Sequence, residues 1–269
     1  MSNFGIARYK GGWALVTGAA RSQGLGHAFS RRIAAEGINL VLVDILEDQL
    51  AERAAELRRD FGVSVRTVCC DLGQQAPYPE IEMAVEGIAI DLLICNHMYT
   101  PQETPKVIDM PLEQHVRVLE INGRAYLNLM HRFAGEMASR GKGAVVVVAS
   151  GAGLTSAPYT AAYSANKAYQ IAYGEALWYE LQGTGVDVLV VIGGLMRTHA
   201  GIDGYPSWLI EEPGDVAAKV LPQIGRRHMV VPGRANRFFL WMQTRMSTRR
   251  KTVRQIGKFM EKGLKKSSS

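Results

Sequence analysis

Short runs of β-branched residues recur along the chain, separated by longer segments whose apolar positions have helical spacing. WALVT, INLVLVD, SVRTVCC, IDLLIC, GAVVVVA, VDVLVVI and HMVV read as strands. Most are apolar throughout rather than alternating, the pattern of strands covered by helices on both faces. Between them, GLGHAFSRRIAAEG, LEDQLAERAAELRRDF, IEMAVEG, one long helix from Leu112 to Arg140, AAYSANK through Leu181, and PGDVAAKVLPQI have helical periodicity. Regular alternation of strand and helix predicts an α/β fold with a doubly wound parallel sheet of about seven strands. Ligands of such a sheet sit in the crevice beyond the carboxyl ends of its strands.

Length and charge refine this picture. The 269 residues suit one large domain with a well-buried core. No stretch approaches the roughly 18 uninterrupted apolar residues of a membrane-spanning helix, and the amino terminus lacks the apolar core of a secretory signal. Cys69, Cys70 and Cys95 suit neither a disulfide framework nor a metal site. The expected location is therefore a reducing one, the cytoplasm, and no metal is expected. The net charge of +6 is uneven: thirteen of the 31 Lys/Arg but one of the 25 acids lie from Arg226 onward. The body, residues 1–233, is mildly acidic, and the extension, residues 234–269, strongly basic.

LVTGAARSQGLGHA follows the first strand. Gly18, Gly24 and Gly26 open a helix there, where residues without a Cβ let backbone N–H groups and the helix dipole approach a pyrophosphate. Asp44, ending the second strand, can accept both hydroxyls of an adenosine ribose. Alone, these residues would also serve as a glycine turn and a solvated acid. A 2′-phosphate carrying about −1.5 to −2 charge would be repelled by Asp44, and Arg21 is the only nearby basic residue to compensate. NAD(H) is therefore favoured over NADP(H).

AAYSANKAYQ places Tyr163 and Lys167 at i and i+4, on one face of a helix with small residues between. A free tyrosine has a pKa of about 10, too high for a base near neutrality, and a neighbouring cation lowers it. Ser150 ends the strand GAVVVVA, at the edge where an α/β site forms, and its hydroxyl can bond a substrate carbonyl oxygen. Tyr-x-x-x-Lys pairs also arise by chance on ordinary helices, so the conjunction carries the weight.

TG…GLG, Asp44, CDL at Cys70–Leu72, DLLICN, Ile121–Asn122, ASGAG around Ser150, YSANK and GGLMRT occur in this order from Trp13 to about Gly233. In these motifs the chain resembles the short-chain dehydrogenase/reductase family and its Rossmann-type fold. The resemblance implies that Tyr163 is the general acid/base and that Lys167 lowers its pKa while holding the nicotinamide ribose. It further implies that Ser150 orients the substrate oxygen and that Asn122 holds a water in a proton relay through Lys167. Asp71 and Leu72 would flank the adenine, Asn96 would lie beneath the cofactor, and Thr198 would contact the nicotinamide amide or pyrophosphate. Family members commonly pair the helix of Leu112–Arg140 and the catalytic helix, which implies a homodimer or homotetramer.

Three departures stand out. Five residues rather than three separate Gly18 from Gly24, so Arg21 to Gln23 are expected to bulge toward the cofactor. The family's NNAG is Cys95-Asn96-His97-Met98 here, which makes His97 a candidate substrate contact beside its plainer reading as a packed or solvated histidine. Gly193-Gly194 replaces the usual Pro-Gly. The segment after Thr198 reads as a lid, with Tyr205 and Trp208 as candidate substrate contacts, and its aromatic and aliphatic content points to a bulky apolar alcohol or ketone. The resulting expectation is an oxidoreductase moving a hydride between NAD(H) and a hydrophobic secondary alcohol or ketone. The alternative is a cofactor-binding regulator or assembly partner with little turnover.

The extension carries Phe238, Phe239, Leu240, Trp241 and Met242 beside Arg237 and Arg245, then Val253, Ile256, Met260 and Leu264 at helical spacing among basic residues. These read as two basic amphipathic helices. They could lie on an anionic membrane surface or pack on the body or a neighbouring subunit. Nucleic acid is a weaker partner, because a basic tail alone is nonspecific.

Overall fold

The central apolar runs are strands buried on both faces. A computed structural model describes residues 4–101, 106–198 and 207–267, with side chains described as far as residue 261. In it β1 (Trp13–Thr17), β2 (Asn39–Asp44), β3 (Val65–Cys69), β4 (Ile90–Cys95), β5 (Gly143–Ser150), β6 (Val186–Gly193) and β7 (Met229–Val230) form one sheet in the order β3-β2-β1-β4-β5-β6-β7. Every pairing is parallel. The strand order reverses between β1 and β4, which opens the crevice that a doubly wound sheet offers to a ligand. The helices are α1 (Leu25–Ala35), α2 (Glu47–Phe61), α3 (Pro79–Val85), α4 (Leu112–Leu119), α5 (Ala125–Arg140), α6 (Ala152–Thr155), α7 (Ala161–Glu180), α8 (Pro213–Val220), α9 (Arg234–Arg245) and α10 (Arg249–Ser267).

The two-residue period of a strand sends alternate side chains into two separate cores. Ala14, Val16, Leu40, Leu42, Leu92, Ile94, Val146 and Leu189 pack with Phe29 and Ile33 of α1, Leu57 of α2 and Val216 of α8. Leu15, Val41, Val43, Leu93, Val145 and Val188 face the other way, onto Ile81 of α3, Phe133 of α5 and Leu177 of α7. Fully covered strands need no polar face, which is why the runs read as apolar throughout.

One expected element divides. The segment Leu112–Arg140 is α4 and α5 joined by a π-helical turn, Glu120–Arg124, where the Ala125 N–H reaches back to the Glu120 carbonyl. An inserted π residue leaves the apolar periodicity nearly intact, so the sequence pattern does not reveal it. Gly123 lies at this turn, where a Cβ would come 2.5 Å from Asn166 Oδ1 of α7. The absence of a side chain lets the turn lie directly against the helix that carries Tyr163.

The extension forms two helices, as expected, but they use their apolar residues differently. Leu240 of α9 packs against a small cluster of Ala149, Ile171, Val190 and Ile192, and Asn236 donates to the Leu209 carbonyl at 3.2 Å. Phe238 and Trp241 of the same helix stack on each other while 63% and 51% exposed. On α10, Thr252 is buried, Gly257 lies 3.3 Å in Cβ reach of Pro158, and Glu261 accepts from the Tyr159 hydroxyl at 2.8 Å. The inner face of α10 is thus spent on the loop that precedes α7.

Candidate active site

The carboxyl end of β5 delivers Ser150, and the first turn of α7 delivers Tyr163. Their hydroxyls face one another, and Ser150 lowers the Tyr163 pKa. Burial raises the Tyr163 phenol above its ordinary value, and the interaction with Ser150 partly offsets this by favouring the phenolate. One helical turn on, Lys167 is buried and its Nζ lies 5.6 Å from the centroids of both the Tyr163 and Tyr126 rings. Nζ donates to the Val148 carbonyl at 2.8 Å and to Gln170 Oε1 at 2.9 Å. Burial pushes the ammonium pKa down to about 7.

In the protein alone burial holds the Tyr163 phenol above its ordinary value, and Ser150 opposes the rise. The physical reason is shared desolvation. The same dry environment that disfavours the phenolate also drives the neighbouring ammonium toward its neutral form.

Asn122 lies in the π-helical turn and is fully buried. Its side chain closes a two-way pair with the backbone of Tyr99, accepting from the N–H at 2.8 Å and donating to the carbonyl at 2.7 Å. Its own carbonyl accepts from Gln170 Nε2 at 2.7 Å. Gln170 therefore links the Asn122 carbonyl directly to Lys167 Nζ.

His97 follows its packed reading rather than that of a substrate contact. It is 6% exposed, with Nε2 donating to the Ile121 carbonyl at 3.0 Å and Nδ1 facing the Thr17 hydroxyl at 2.8 Å. Its ring packs 4.4 Å from that of Tyr126. Burial, aided by repulsion from Lys167, lowers its pKa to about 3 despite the Ile121 bond. A neutral ring with both nitrogens engaged in the core has none left for a substrate. Trp208, on a short 3-10 turn Ser207–Leu209, is 66% exposed. Tyr205 lies outside the described residues.

At the other end of the crevice, Gly18 has φ +68°, and a Cβ on Gly26 would lie 2.1 Å from the Gly18 carbonyl oxygen. The first turn of α1 thereby sits against the end of β1. Gly24 caps this helix with no side-chain cap bond, so its leading N–H groups remain for an anion. Arg21, Ser22 and Gln23 are exposed, in a turn closed by Gly24 N–H to the Arg21 carbonyl at 2.8 Å. Asp44 Oδ2 accepts from Ala20 N–H at 2.9 Å, and Oδ1 accepts from Ile45 and Leu46. The loop and the strand-end acid are thus tied together. Asn96 Nδ2 donates to the Thr17 and Gly18 carbonyls at 3.2 and 3.1 Å, bracing β4 to the same loop.

Three outlying candidates have plainer surroundings. Asp71 accepts from Arg117 at 2.7 Å and from Gly73 N–H at 2.8 Å. Burial works to raise its carboxyl, but these donors hold it below the usual value. Leu72 packs its side chain into the core. Thr198 is half-buried after β6, its N–H bonded to the Met196 carbonyl at 2.9 Å.

Sequence reading missed Gln170, although its signal was present: Tyr163, Lys167 and Gln170 fall at i, i+4 and i+7 on one helical face. It also missed Ser156 and Tyr159, two non-glycine residues at φ +58° and +66° in the loop before α7. Arg249 of α10 donates to the Ser156 hydroxyl at 3.1 Å, so both strained residues are held by α10.

Fold and site together define an α/β oxidoreductase, and the short chain dehydrogenase family model matches residues 12–203. The chain belongs to that family, whose members act on CH–OH groups with a nicotinamide cofactor. It is 29% identical over 257 residues to a 7β-hydroxysteroid dehydrogenase of Collinsella aerofaciens, covering 93% of this chain and 96% of the relative. A solved structure from work on 7β-hydroxysteroid dehydrogenase stereoselectivity superposes with a TM-score of 0.87 at 27% identity, covering 94% of this chain and 99% of that one. The bulky-bulky ketone specific alcohol dehydrogenase of Comamonas testosteroni gives a TM-score of 0.74 at 26% identity, covering 87% and 92%.

Proposed function

We propose that this chain is an NAD(H)-dependent oxidoreductase for a hydrophobic secondary alcohol or ketone of steroid-like bulk. The observation that carries the reading is the Ser150–Tyr163 hydroxyl pair with buried Lys167 one turn away, at the carboxyl edge of the sheet. The residues fit a dinucleotide: the uncapped first turn of α1 suits a pyrophosphate, and Asp44, already held by the glycine loop, suits a ribose diol. The bound cofactor supplies the hydride exchange. Tyr163 takes the substrate hydroxyl proton in oxidation and returns it in reduction, while Ser150 holds the same oxygen in line. Relatives that act on a 7β-hydroxysteroid and on bulky-bulky ketones favour a rigid, bulky substrate.

The test is a cofactor-reduction assay over hydrophobic secondary alcohols, hydroxysteroids included, with both cofactors. NAD should be preferred, and Asp44→Ala should shift the ratio of catalytic efficiencies toward NADP by about tenfold or more, since it removes the ribose acceptor and the charge that repels a 2′-phosphate. An unchanged ratio refutes the cofactor assignment. Absence of turnover on every alcohol, with cofactor still bound, would favour the regulator reading instead.

The proposal extends to the carboxyl extension. Phe238, Trp241 and Met242 are exposed on α9, as is Met246 just after it, beside Arg237 and Arg245, whereas Leu240 faces the body. Such a face suits a lipid interface, with each basic residue near anionic headgroups contributing about 1 kcal/mol. The full chain should sediment with anionic but not neutral vesicles, and a chain ending at Gly233 with neither. Equal recovery of the full chain in both supernatants rules this contact out.

A further inference from the structure

Lys167 is a buried ammonium without a counter-ion. Among the described residues no carboxylate lies within ion-pair reach, so only dipoles stabilise its charge. One is the Val148 carbonyl, a fixed part of β5. The other is Gln170, among the described residues the single side chain that bonds Nζ.

Gln170 is itself fully buried. Its two bonds fix the orientation of its amide without ambiguity: the ammonium can only donate, so it faces Oε1, and the Asn122 carbonyl can only accept, so it faces Nε2. Asn122 is in turn clamped to the backbone of Tyr99. A continuous hydrogen-bonded path thus runs from the π-helical turn through Gln170 to Lys167, whose Nζ lies over the Tyr163 ring at 5.6 Å. Each bond along it polarises the next.

We propose that Gln170 is a positioning residue that keeps Lys167 charged and in place beside Tyr163, so that the tyrosine can exchange its proton near neutrality. This rests on the oxidoreductase reading given above. A hydrogen bond to the charged form of a buried group favours that form. Without Oε1 the ammonium keeps a single protein acceptor, loses its proton more easily, and offers Tyr163 less positive charge. The ionisable groups facing Lys167 are Tyr163 on its own helix, Tyr126 on α5 and His97 after β4; none is an anion at neutral pH, so none can take over.

Two variants separate this role from simple packing. Gln170→Met keeps length and bulk but removes both polar bonds, and Gln170→Glu keeps an acceptor and adds charge. In protein carrying 13C-labelled lysine, the Lys167 ε-carbon, assigned by its loss in Lys167→Met, should titrate about one unit lower in Gln170→Met and at least one unit higher in Gln170→Glu. In turnover, the acid limb of kcat/KM for alcohol oxidation should move up by about one unit in Gln170→Met. The rate near pH 7 should drop about tenfold and recover at higher pH, with KM for cofactor changed less than threefold. The carbon titration needs no substrate, so it decides the inference even where the oxidoreductase reading fails. If Gln170→Met does not fold, the upward shift in Gln170→Glu decides alone. Titration curves that superpose on the parent in the folded variants overturn the proposal.

Discussion

Tyr163→Phe should lower kcat/KM by about 10²–10⁴-fold, the span that a positioned acid/base contributes. The substitution removes one oxygen and little else. Phenylalanine keeps the ring that Lys167 faces at 5.6 Å, so the packing of α7 on the sheet is preserved. The interaction with Ser150 is lost, which costs about 0.5–1.5 kcal/mol of stability, the worth of an ordinary hydrogen bond. Cofactor affinity should stay within a few-fold, because the residues proposed to hold the pyrophosphate and adenosine ribose, Gly18, Gly24, Gly26 and Asp44, lie on other elements. The pH profile offers a second readout. Only the phenolate accepts a proton from an alcohol, so oxidation by the parent rises with pH as Tyr163 ionises, and the residual rate of the variant should be nearly flat across the same range. Stopped-flow turnover with isothermal titration of cofactor separates the outcomes. Joint loss of binding and turnover would make Tyr163 a structural residue.

The strands and most helices were legible because burial on two faces writes itself into the sequence as unbroken runs of Val, Leu and Ile. The helix from Leu112 was legible in its extent but not in its break, since a π turn shifts the periodicity by one residue and leaves the apolar stripe readable. That break matters, because it turns the Asn122 carbonyl to Gln170. Tyr163, Lys167 and Ser150 were legible as neighbours because a strand end and one helical face bring them together. His97 was not: the same position could be cleft or core, and only the bonds to Thr17 and Ile121 decide it. The dryness of the Tyr163 site was not legible for a related reason. Spacing places a cation near a phenol, but how much water reaches the pair is a property of the packed site. On the extension, periodicity gave two amphipathic helices without saying which apolar face the body would claim. Leu240 and Thr252 turn inward, and Phe238 and Trp241 do not.

The glycine loop offers a test of how far fold and site depend on one backbone contact. Gly26→Ala would place a Cβ 2.1 Å from the Gly18 carbonyl oxygen and 2.8 Å from Asn96 Nδ2. Neither neighbour can yield locally. Gly18 is backbone at the end of β1 and donates its N–H to Val43, while Asn96 is pinned by the Thr17 and Gly18 carbonyls. The first turn of α1 must therefore lift from the sheet, carrying away the N–H groups that face a pyrophosphate. Overpacking of this kind costs about 1–3 kcal/mol, which for a chain of this size lowers Tm by roughly 2–10 °C. Cofactor affinity should fall at least tenfold, because the displaced groups are those the anion uses. Gly135→Ala, in α5 where a Cβ meets nothing within 4 Å, is the matched comparison. It should raise stability by about 0.5–1 kcal/mol through helix propensity and leave affinity unchanged. Differential scanning calorimetry with titration of NAD(H) reads both quantities. If Gly26→Ala binds cofactor like the parent at unchanged Tm, the close seat of α1 on β1 is not what builds the phosphate site.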